Sequence, residues 1–335
     1  MTTSELIAGI LWLSLTAYAV LAGADFGGGV WDLFASGPRA KEQRLAVAEA
    51  MGPVWEANHV WLIFMITGLF TAFPVTFGVL ALALYVPLTI ALAGIVLRGA
   101  SFAFRAHGAD AVGPMSTWGV VFGVASIVTP FFLGTAAAAV ASGSIHAPGG
   151  RLASGFLDGW TTPLAIVIGL LSLSICAYLA ATYLMVENED RPALLGDFRR
   201  RAVAAAFVSG VLALLALAIS LFDDQLLLKS LTGRGLPLFA LALLNGPLAL
   251  WAVWRSRPRL ARVAVIGQVV LVLWAWALGQ GPYLVPPDLT IKATAAPEGT
   301  LTAMLIVITV GGLLLIPSLW LLFRVFKARN PQARA

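Results

Sequence analysis

Long apolar runs separated by short polar breaks fill this chain of 335 residues. The runs are continuously apolar rather than alternating with period two, which favours membrane-spanning helices over barrel strands. A helix needs about 20 apolar residues to cross about 30 Å of hydrocarbon. We therefore expect an all-α integral membrane protein with nine transmembrane helices. The predicted spans are residues 5–25, 54–73, 77–97, 117–141, 161–186, 203–222, 236–254, 263–280 and 300–323.

Composition excludes a soluble globule. The chain is 60% hydrophobic and 11% charged, with a mean hydropathy of +0.92, which leaves too little polar surface to coat a water-soluble fold. The only charged residue before the first apolar run is Glu5, whereas a secretory signal peptide begins with a positively charged region. We expect the first run to be a retained span.

The Lys and Arg residues are distributed unevenly between alternating loops. Of the 21, only four fall on one side of the predicted membrane: Arg151, Lys229, Arg234 and Lys292. The positive-inside rule then places the N-terminus outside and the C-terminus in the cytoplasm. Because topology explains the net charge of +5, no nucleic-acid partner is needed.

Haem and metal ligands are scarce. Haem iron in a helical bundle takes His, Met, Cys or Tyr ligands from facing helices. Among the three histidines, His107 and His146 fall in loops on opposite faces, which leaves His59 within a span. The single cysteine, Cys176, cannot form a disulfide or a thiolate metal site alone. We expect no haem and no metal bound by this chain.

Asp25, Glu56 and Arg98 are predicted to share one depth. Counting about 20 helical residues from the outer boundaries brings each of the first three spans to the inner boundary near these positions. They either converge into one polar pocket or flank the membrane and snorkel separately. Spacing alone leaves both open.

Local sequence favours a pocket. Glycines surround Asp25 and would let another helix or water approach the carboxyl closely. Pro53 suggests a helix start just before Glu56, where the helix dipole favours a carboxylate. His59 lies three residues after Glu56 on the same helix face, as a short proton relay requires. Further polar groups in this run are Trp55, Asn58 and Trp61.

Three stretches resemble subunit II of the cytochrome bd ubiquinol oxidases. They are Gly23-Ala24-Asp25-Phe26-Gly27-Gly28-Gly29, Gly52-Pro53-Val54-Trp55-Glu56-Ala57-Asn58-His59-Val60-Trp61-Leu62-Ile63 and Leu97-Arg98-Gly99-Ala100-Ser101-Phe102-Ala103-Phe104-Arg105. The likeness is dense in the first three spans and patchy later. Two positions depart from the pattern, because Glu56 and His59 stand where many members carry Asp and Gln.

That resemblance implies a bacterial inner-membrane oxidase that reduces oxygen to water with quinol electrons. The partner, subunit I, would hold one d-type and two b-type haems, and this chain alone would catalyse nothing. Asp25, Glu56, Arg98 and His59 would belong to a cytoplasmic proton-uptake route, supported by Trp55, Asn58, Trp61 and Arg105. A structural quinone and a small accessory membrane subunit are further candidates from the family.

The same resemblance implies two four-helix bundles and a peripheral ninth helix. The corresponding segments are residues 1–142, 143–282 and 283–335. Two other functions stay open. A proton-coupled secondary transporter usually places charges near the bilayer midplane, whereas here the cluster lies at the inner edge. A purely structural partner of a haem subunit would use Asp25 and Glu56 only for packing.

Overall fold

Helices account for nearly all the secondary structure. The computed structural model describes residues 2–107, 117–222 and 225–328; within them, the side chains of residues 51–57, 105–107, 225, 315–316, 319–320 and 322–328 are outside the description. The helices are α1 Thr3–Leu33, α2 Ala40–Ala72, α3 Pro74–Ala83, α4 Tyr85–His107, α5 Thr117–Ala141, α6 Pro163–Glu187, α7 Pro192–Phe222, α8 Gln225–Thr232, α9 Leu236–Trp254, α10 Pro258–Gln280 and α11 Glu298–Ala328. Strands β1 Tyr283–Val285 and β2 Leu289–Thr290 pair antiparallel.

Seven of these helices are long and apolar enough to cross a membrane within the described ranges: α1, α4, α5, α6, α7, α9 and α10. An eighth span is possible from Asn58–Ala72 of α2 with α3, which meet at a bend of 119°. The apolar part of α11, Glu298–Leu314, is shorter. The all-helical membrane class is confirmed, and the count of nine spans stays a prediction.

Helix starts follow ordinary capping chemistry. Thr2 and Glu5 form a capping box at the start of α1, which satisfies two backbone N–H groups that lack helical partners. At α6, the Thr162 side chain accepts a hydrogen bond from the Ala165 amide, and Pro163 occupies the first turn. Both caps fix where an apolar segment begins.

The first predicted span ended too early. Helix α1 continues past Asp25 through the glycine run to Leu33. Its 31 residues extend about 46 Å, more than the hydrocarbon thickness. A glycine costs a helix only about 1 kcal/mol relative to alanine, and tight packing of these glycines against α5 and α6 offsets that cost.

The predicted helix start at Pro53 was wrong. Helix α2 begins at Ala40 and passes through Pro53 without a break, so the backbone of Glu56 lies well inside the helix. The helix-dipole argument for Glu56 therefore fails. The chain instead breaks at Phe73, immediately before Pro74, which begins α3.

The third predicted span, residues 77–97, is divided at Leu84 into α3 and α4. Pro87 explains the division, because it cannot donate a backbone hydrogen bond to the Ala83 carbonyl. Two further elements were not predicted: the short helix α8 and the β1–β2 hairpin.

The main core lies around α6, which packs against α1, α5, α7 and α10. Its fully buried side chains include Leu179, Leu184 and Met185, which meet Phe198 of α7 and Val265 of α10. In the other half, α1 also packs on α2 and α5, and α4 packs on α5. The main contacts of α11 are with α1 and α2.

The α2–α3 break is covered by the segment that precedes α11. The Ala296 amide donates to the Ala72 carbonyl at 2.8 Å, and the buried hydroxyls of Thr76 and Thr294 lie 2.9 Å apart. Phe73 at the break is fully buried. These bonds satisfy backbone and hydroxyl groups that the bend would otherwise leave unpaired.

Candidate functional site

Asp25 of α1 and Arg98 of α4 form a buried ion pair. Arg98 donates from Nη1 to Oδ2 and from Nη2 to Oδ1, both at 2.6 Å. The two residues expose only 1% and 2% of their surfaces. Such a bidentate contact fixes both the orientation and the separation of the two side chains, which a single hydrogen bond does not. The pair therefore holds α1 and α4 in one register.

The remaining donors of Arg98 are also engaged. Nη2 reaches the Asp25 backbone carbonyl at 3.0 Å, and Nε donates to the Ser126 hydroxyl of α5 at 2.9 Å. The guanidinium lies over the rings of Phe122 and Phe26, 4.6 and 5.2 Å from their centroids. Aromatic faces attract a cation that has lost its water. Burial of this charge is thus compensated from several sides.

Asn58 of α2 completes the cluster. Its Nδ2 donates to Oδ2 of Asp25 at 2.9 Å, so this oxygen accepts from α2 and α4 together. The other amide atom, Oδ1 of Asn58, is buried and has no hydrogen-bond partner among the described residues. A buried acceptor without a hydrogen bond costs stability, and in proteins a buried water molecule usually donates to such a group.

A small cavity adjoins these side chains. Its volume is about 10 Å³, near the lower limit for holding one water molecule. The cavity is lined by Tyr18, Ala22, Asp25, Phe26, Asn58, His59, Ile95 and Arg98. Three helices, α1, α2 and α4, thus bring a carboxylate, a carboxamide, an imidazole and a guanidinium around one space of about the size of a single water.

The glycines beside Asp25 make this convergence possible. A Cβ added at Gly29 would lie 2.0 Å from the hydroxyl oxygen of Ser126, the group that accepts from Arg98. A Cβ at Gly27 would lie 1.9 Å from the Cys176 carbonyl oxygen of α6. Neither distance is sterically allowed, so α1 needs glycine at both positions to approach α5 and α6.

Comparison with known proteins identifies the family. A family model described as cytochrome bd terminal oxidase subunit II matches residues 3–326, nearly the whole chain. The chain belongs to the cytochrome bd terminal oxidase subunit II family. Its members are subunits of respiratory oxidases, so this subunit II is a multi-pass protein of the bacterial inner membrane and part of an oxidoreductase complex.

Relatives of this subunit II carry matching names. A Bacillus subtilis (strain 168) protein, provisionally named cytochrome bd menaquinol oxidase subunit II, is 22% identical over 97% of this chain and 96% of its own length. The cytochrome bd-I ubiquinol oxidase subunit 2 of Escherichia coli (strain K12) is 26% identical over 64% of this chain and 54% of its own. The two names differ in the quinol.

A solved structure shows the same fold. The bd oxidase from Geobacillus thermodenitrificans contains a chain that superimposes with a TM-score of 0.75 at 23% identity. The match covers 98% of this chain and 100% of that chain. This subunit II therefore shares the fold of a chain of that bd oxidase.

The structure brings together only some of the residues selected from the subunit II sequence. Asp25, Arg98 and Asn58 are bonded directly, and His59 lines the same cavity. The Trp61 side chain is 37% exposed, and its backbone carbonyl accepts a hydrogen bond from Ser14. The side chains of Trp55, Glu56 and Arg105 lie outside the described residues.

Sequence reasoning missed several groups in the site. Ser126, Phe122, Phe26 and Tyr18 were not selected, although all contact the guanidinium or line the cavity. A hydroxyl within the apolar run of α5 was the available signal for Ser126. Nothing in the sequence distinguishes Phe122 from other membrane phenylalanines.

A second polar network, also missed, joins α1, α2 and α7. Asp197 accepts from Arg39 Nε and Nη2 at 2.8 and 2.7 Å, from Gln43 at 3.0 Å and from Arg200 at 2.6 Å. Its carboxylate raises the pKa of the Arg39 guanidinium through these hydrogen bonds. Arg201 donates to Oε1 of Gln43 at 2.6 Å, which extends the network.

Arg201 also caps the end of α1. Its guanidinium donates to the backbone carbonyls of Trp31 at 3.4 Å and Phe34 at 3.3 Å. The last carbonyls of a helix lack intrahelical partners and carry partial negative charge, so a cation there is favourable. The network thus fixes the extended end of α1 that follows Asp25.

The described residues present few ligands for a redox group. No cluster of three His, Cys, Asp or Glu side chains that could hold a metal occurs among them. His59 lies beside Asn58 on the cavity wall, and His146 is exposed, 3.8 Å from Asp288. Cys176 is a buried free thiol.

Proposed function

We propose that this chain is the haem-free subunit II of a quinol:oxygen oxidoreductase of the cytochrome bd type. It would stabilise a haem-bearing subunit I, which holds the d-type and b-type haems, and it would not catalyse the reaction alone. It would also supply a route by which cytoplasmic protons reach the oxygen-reducing site. The single observation that carries the last proposal is the Asp25–Arg98–Asn58 cluster beside a cavity for one water.

Three features of the cluster support proton uptake. Charged groups at membrane depth are costly, and each here has a partner that lowers the cost. Oδ1 of Asn58 has no hydrogen-bond donor among the described residues, and one water in the cavity would supply it. His59 on the cavity wall is a group that can take up and release a proton. We include Glu56 in the route from its place in the sequence.

The proposed topology places this route on the cytoplasmic side. With the nine spans predicted from the apolar runs, the uneven distribution of Lys and Arg supports an outside N-terminus and a cytoplasmic C-terminus. The contacts of α1, α2, α4 and α5 support a first bundle in residues 1–142, and those of α6, α7, α9 and α10 support a second in residues 143–282. Residues 283–335, with α11, would form the peripheral part.

The test is a change that removes the polar cavity wall but keeps the ion pair. Asn58→Leu in the purified two-subunit oxidase replaces a carboxamide by an apolar side chain of similar size. We expect quinol-driven oxygen uptake to fall by about a hundredfold, since positioned proton transfer contributes that much or more. The haem absorption spectrum should stay unchanged, because no haem ligand is touched.

Asn245→Leu is the matched control. Asn245 lies in α9 and donates to the Ala264 carbonyl and to Gln268, away from the cavity. Its replacement should leave turnover near wild type. Equal losses in both variants, or full activity of Asn58→Leu, would contradict the proton route. Loss of the haem spectrum in Asn58→Leu would indicate a structural role instead.

A further inference from the structure

The turn between α9 and α10 has an unusual backbone. Ser256 has φ of 51°, the left-handed region, and is the one residue other than glycine with positive φ in the described ranges. This conformation is unfavourable for serine by roughly 1 kcal/mol or more. Arg199 of α7 donates from Nη1 to the Ser256 hydroxyl at 2.8 Å. The turn is thereby held against the start of α7.

This geometry places three arginines together. Arg255 and Arg257 flank Ser256 in sequence, and Arg199 is bonded to it. Arg255 follows the last residue of α9 and Arg257 precedes the first residue of α10, so the α9–α10 turn and α7 contribute to one small surface. Both flanking residues are exposed, and Arg199 is half-buried.

These three guanidiniums lack a carboxylate partner within the described residues, as do Arg44 and Arg201, which donate instead to backbone carbonyls and to Gln43. Five other arginines of the same side pair with carboxylates: Arg39 and Arg200 with Asp197, Arg191 with Glu49, Arg259 with Glu189, and Arg262 with Glu187. No ion pair joins Arg199, Arg255 or Arg257 to an acid in the described part of the chain. Among the described residues, their charge therefore has no carboxylate counterion.

The adjoining surface is apolar and aromatic. Trp254 is 73% exposed, and Trp251 is exposed with the Arg257 guanidinium 5.1 Å from its ring centroid. Tryptophans are typical of the level at which lipid headgroups meet acyl chains. The arginines and the tryptophans therefore offer a charged part and an apolar part side by side.

We propose that Arg199, Arg255 and Arg257 bind the phosphate of an anionic phospholipid, with Trp251 and Trp254 against its glycerol and upper acyl region. Guanidinium groups match phosphate oxygens with paired hydrogen bonds. Basic pockets between transmembrane helices are a recognised form of lipid-headgroup site. The proposal does not depend on the proton route, because the two sites share no residues.

The experiment measures phosphatidylglycerol binding to the purified two-subunit oxidase by native mass spectrometry, with phosphatidylcholine for comparison. Each arginine near an anionic lipid contributes about fivefold in affinity, so Arg199→Gln, Arg255→Gln and Arg257→Gln together should weaken phosphatidylglycerol binding roughly a hundredfold. Phosphatidylcholine binding should not change. Lysine at all three positions keeps the charge but not the paired hydrogen bonds, and should weaken binding less than glutamine does.

The control removes three arginines that already have acidic partners. Arg191→Gln, Arg259→Gln and Arg262→Gln change the net charge equally and should leave phosphatidylglycerol binding near wild type. Equal binding by the first glutamine triple and the wild-type oxidase would overturn the proposal, as would equal losses in both triples. Binding of inorganic phosphate alone as tight as that of phosphatidylglycerol would indicate a free-anion site and overturn the lipid site.

Discussion

Arg98 of α4 binds both carboxylate oxygens of Asp25 in α1 at 2.6 Å, in a place where almost no surface of either residue is exposed. A buried pair of this kind is weak evidence for stability in itself, because desolvation opposes the attraction. Removal of only one of the two charged residues is strongly destabilising. The surviving charge would be buried without a counterion, and this asymmetry leads to the first prediction.

Arg98→Met should destabilise the oxidase strongly. Removal of one partner of a buried pair typically costs about 3–5 kcal/mol, because the other charge stays buried. Asp25→Leu combined with Arg98→Met removes both charges and should recover most of that stability without recovering oxygen uptake. Thermal unfolding of the purified complex measures the first effect. A single variant as stable as the wild type would show that water already reaches the pair.

Gly27→Ala should impair packing between α1 and α6. The added methyl would lie 1.9 Å from the Cys176 carbonyl oxygen, so the helices must separate. Overpacking of this kind costs about 1–3 kcal/mol, or more against backbone. Gly210→Ala is the control, because no atom lies within 4 Å of its Cβ position. It should be neutral or slightly stabilising, since alanine favours helix.

Unfolding temperatures of the two alanine variants decide this prediction. A decrease for Gly27→Ala with none for Gly210→Ala is expected. Similar values for both would show that the α1–α6 contact is looser than the structure indicates.

Asp197→Asn should loosen the junction of α1, α2 and α7. The carboxylate accepts hydrogen bonds from Arg39, Gln43 and Arg200, and an amide can replace only part of these. Bonds to charged groups contribute about 1.5–3 kcal/mol each in favourable cases. Amide hydrogen exchange in the turn between Leu33 and Ala40 should increase clearly.

Glu189→Gln tests whether any lost ion pair has this effect. Glu189 makes one exposed bond of 2.9 Å with Arg259, and such pairs contribute about 0–1 kcal/mol. Exchange in the same turn should stay at the wild-type level. Protection lost equally in both variants would argue that the Asp197 network does not hold the junction.

The sequence predicted the helical membrane class because long apolar runs permit few alternatives in a bilayer. Its boundaries failed at Pro53, which was taken as a helix start, and at Asp25, where the first span was ended. Pro53 lies within α2, and the glycines after Asp25 lie within α1. In both places the helix continues despite an unfavourable residue. At Gly27, the close contact with α6 is a tertiary interaction that local preference does not reveal.

The site was predictable in part. Equal depth left open whether Asp25 and Arg98 meet or snorkel separately, and the glycines around Asp25 favoured a shared pocket. Depth does not specify the direction in which a side chain points around its helix, however, so Ser126 and Tyr18 were not selected. Asp197 was overlooked because it stands among arginines at the edge of an apolar run, where acids are usually solvated. The ends of α1, α2 and α7 come together only in the folded structure, where Asp197 accepts the hydrogen bonds of the network.

The most direct measurement of the proton-uptake proposal is quinol-driven oxygen consumption by the purified oxidase carrying Glu56→Gln. Glutamine keeps the size of the side chain and removes its titratable proton. Glu49→Gln, an exposed surface change in the same helix, is the control. We predict a loss of about a hundredfold for Glu56→Gln with intact haem spectra, and near-normal turnover for the control. Unchanged turnover of Glu56→Gln would contradict the account.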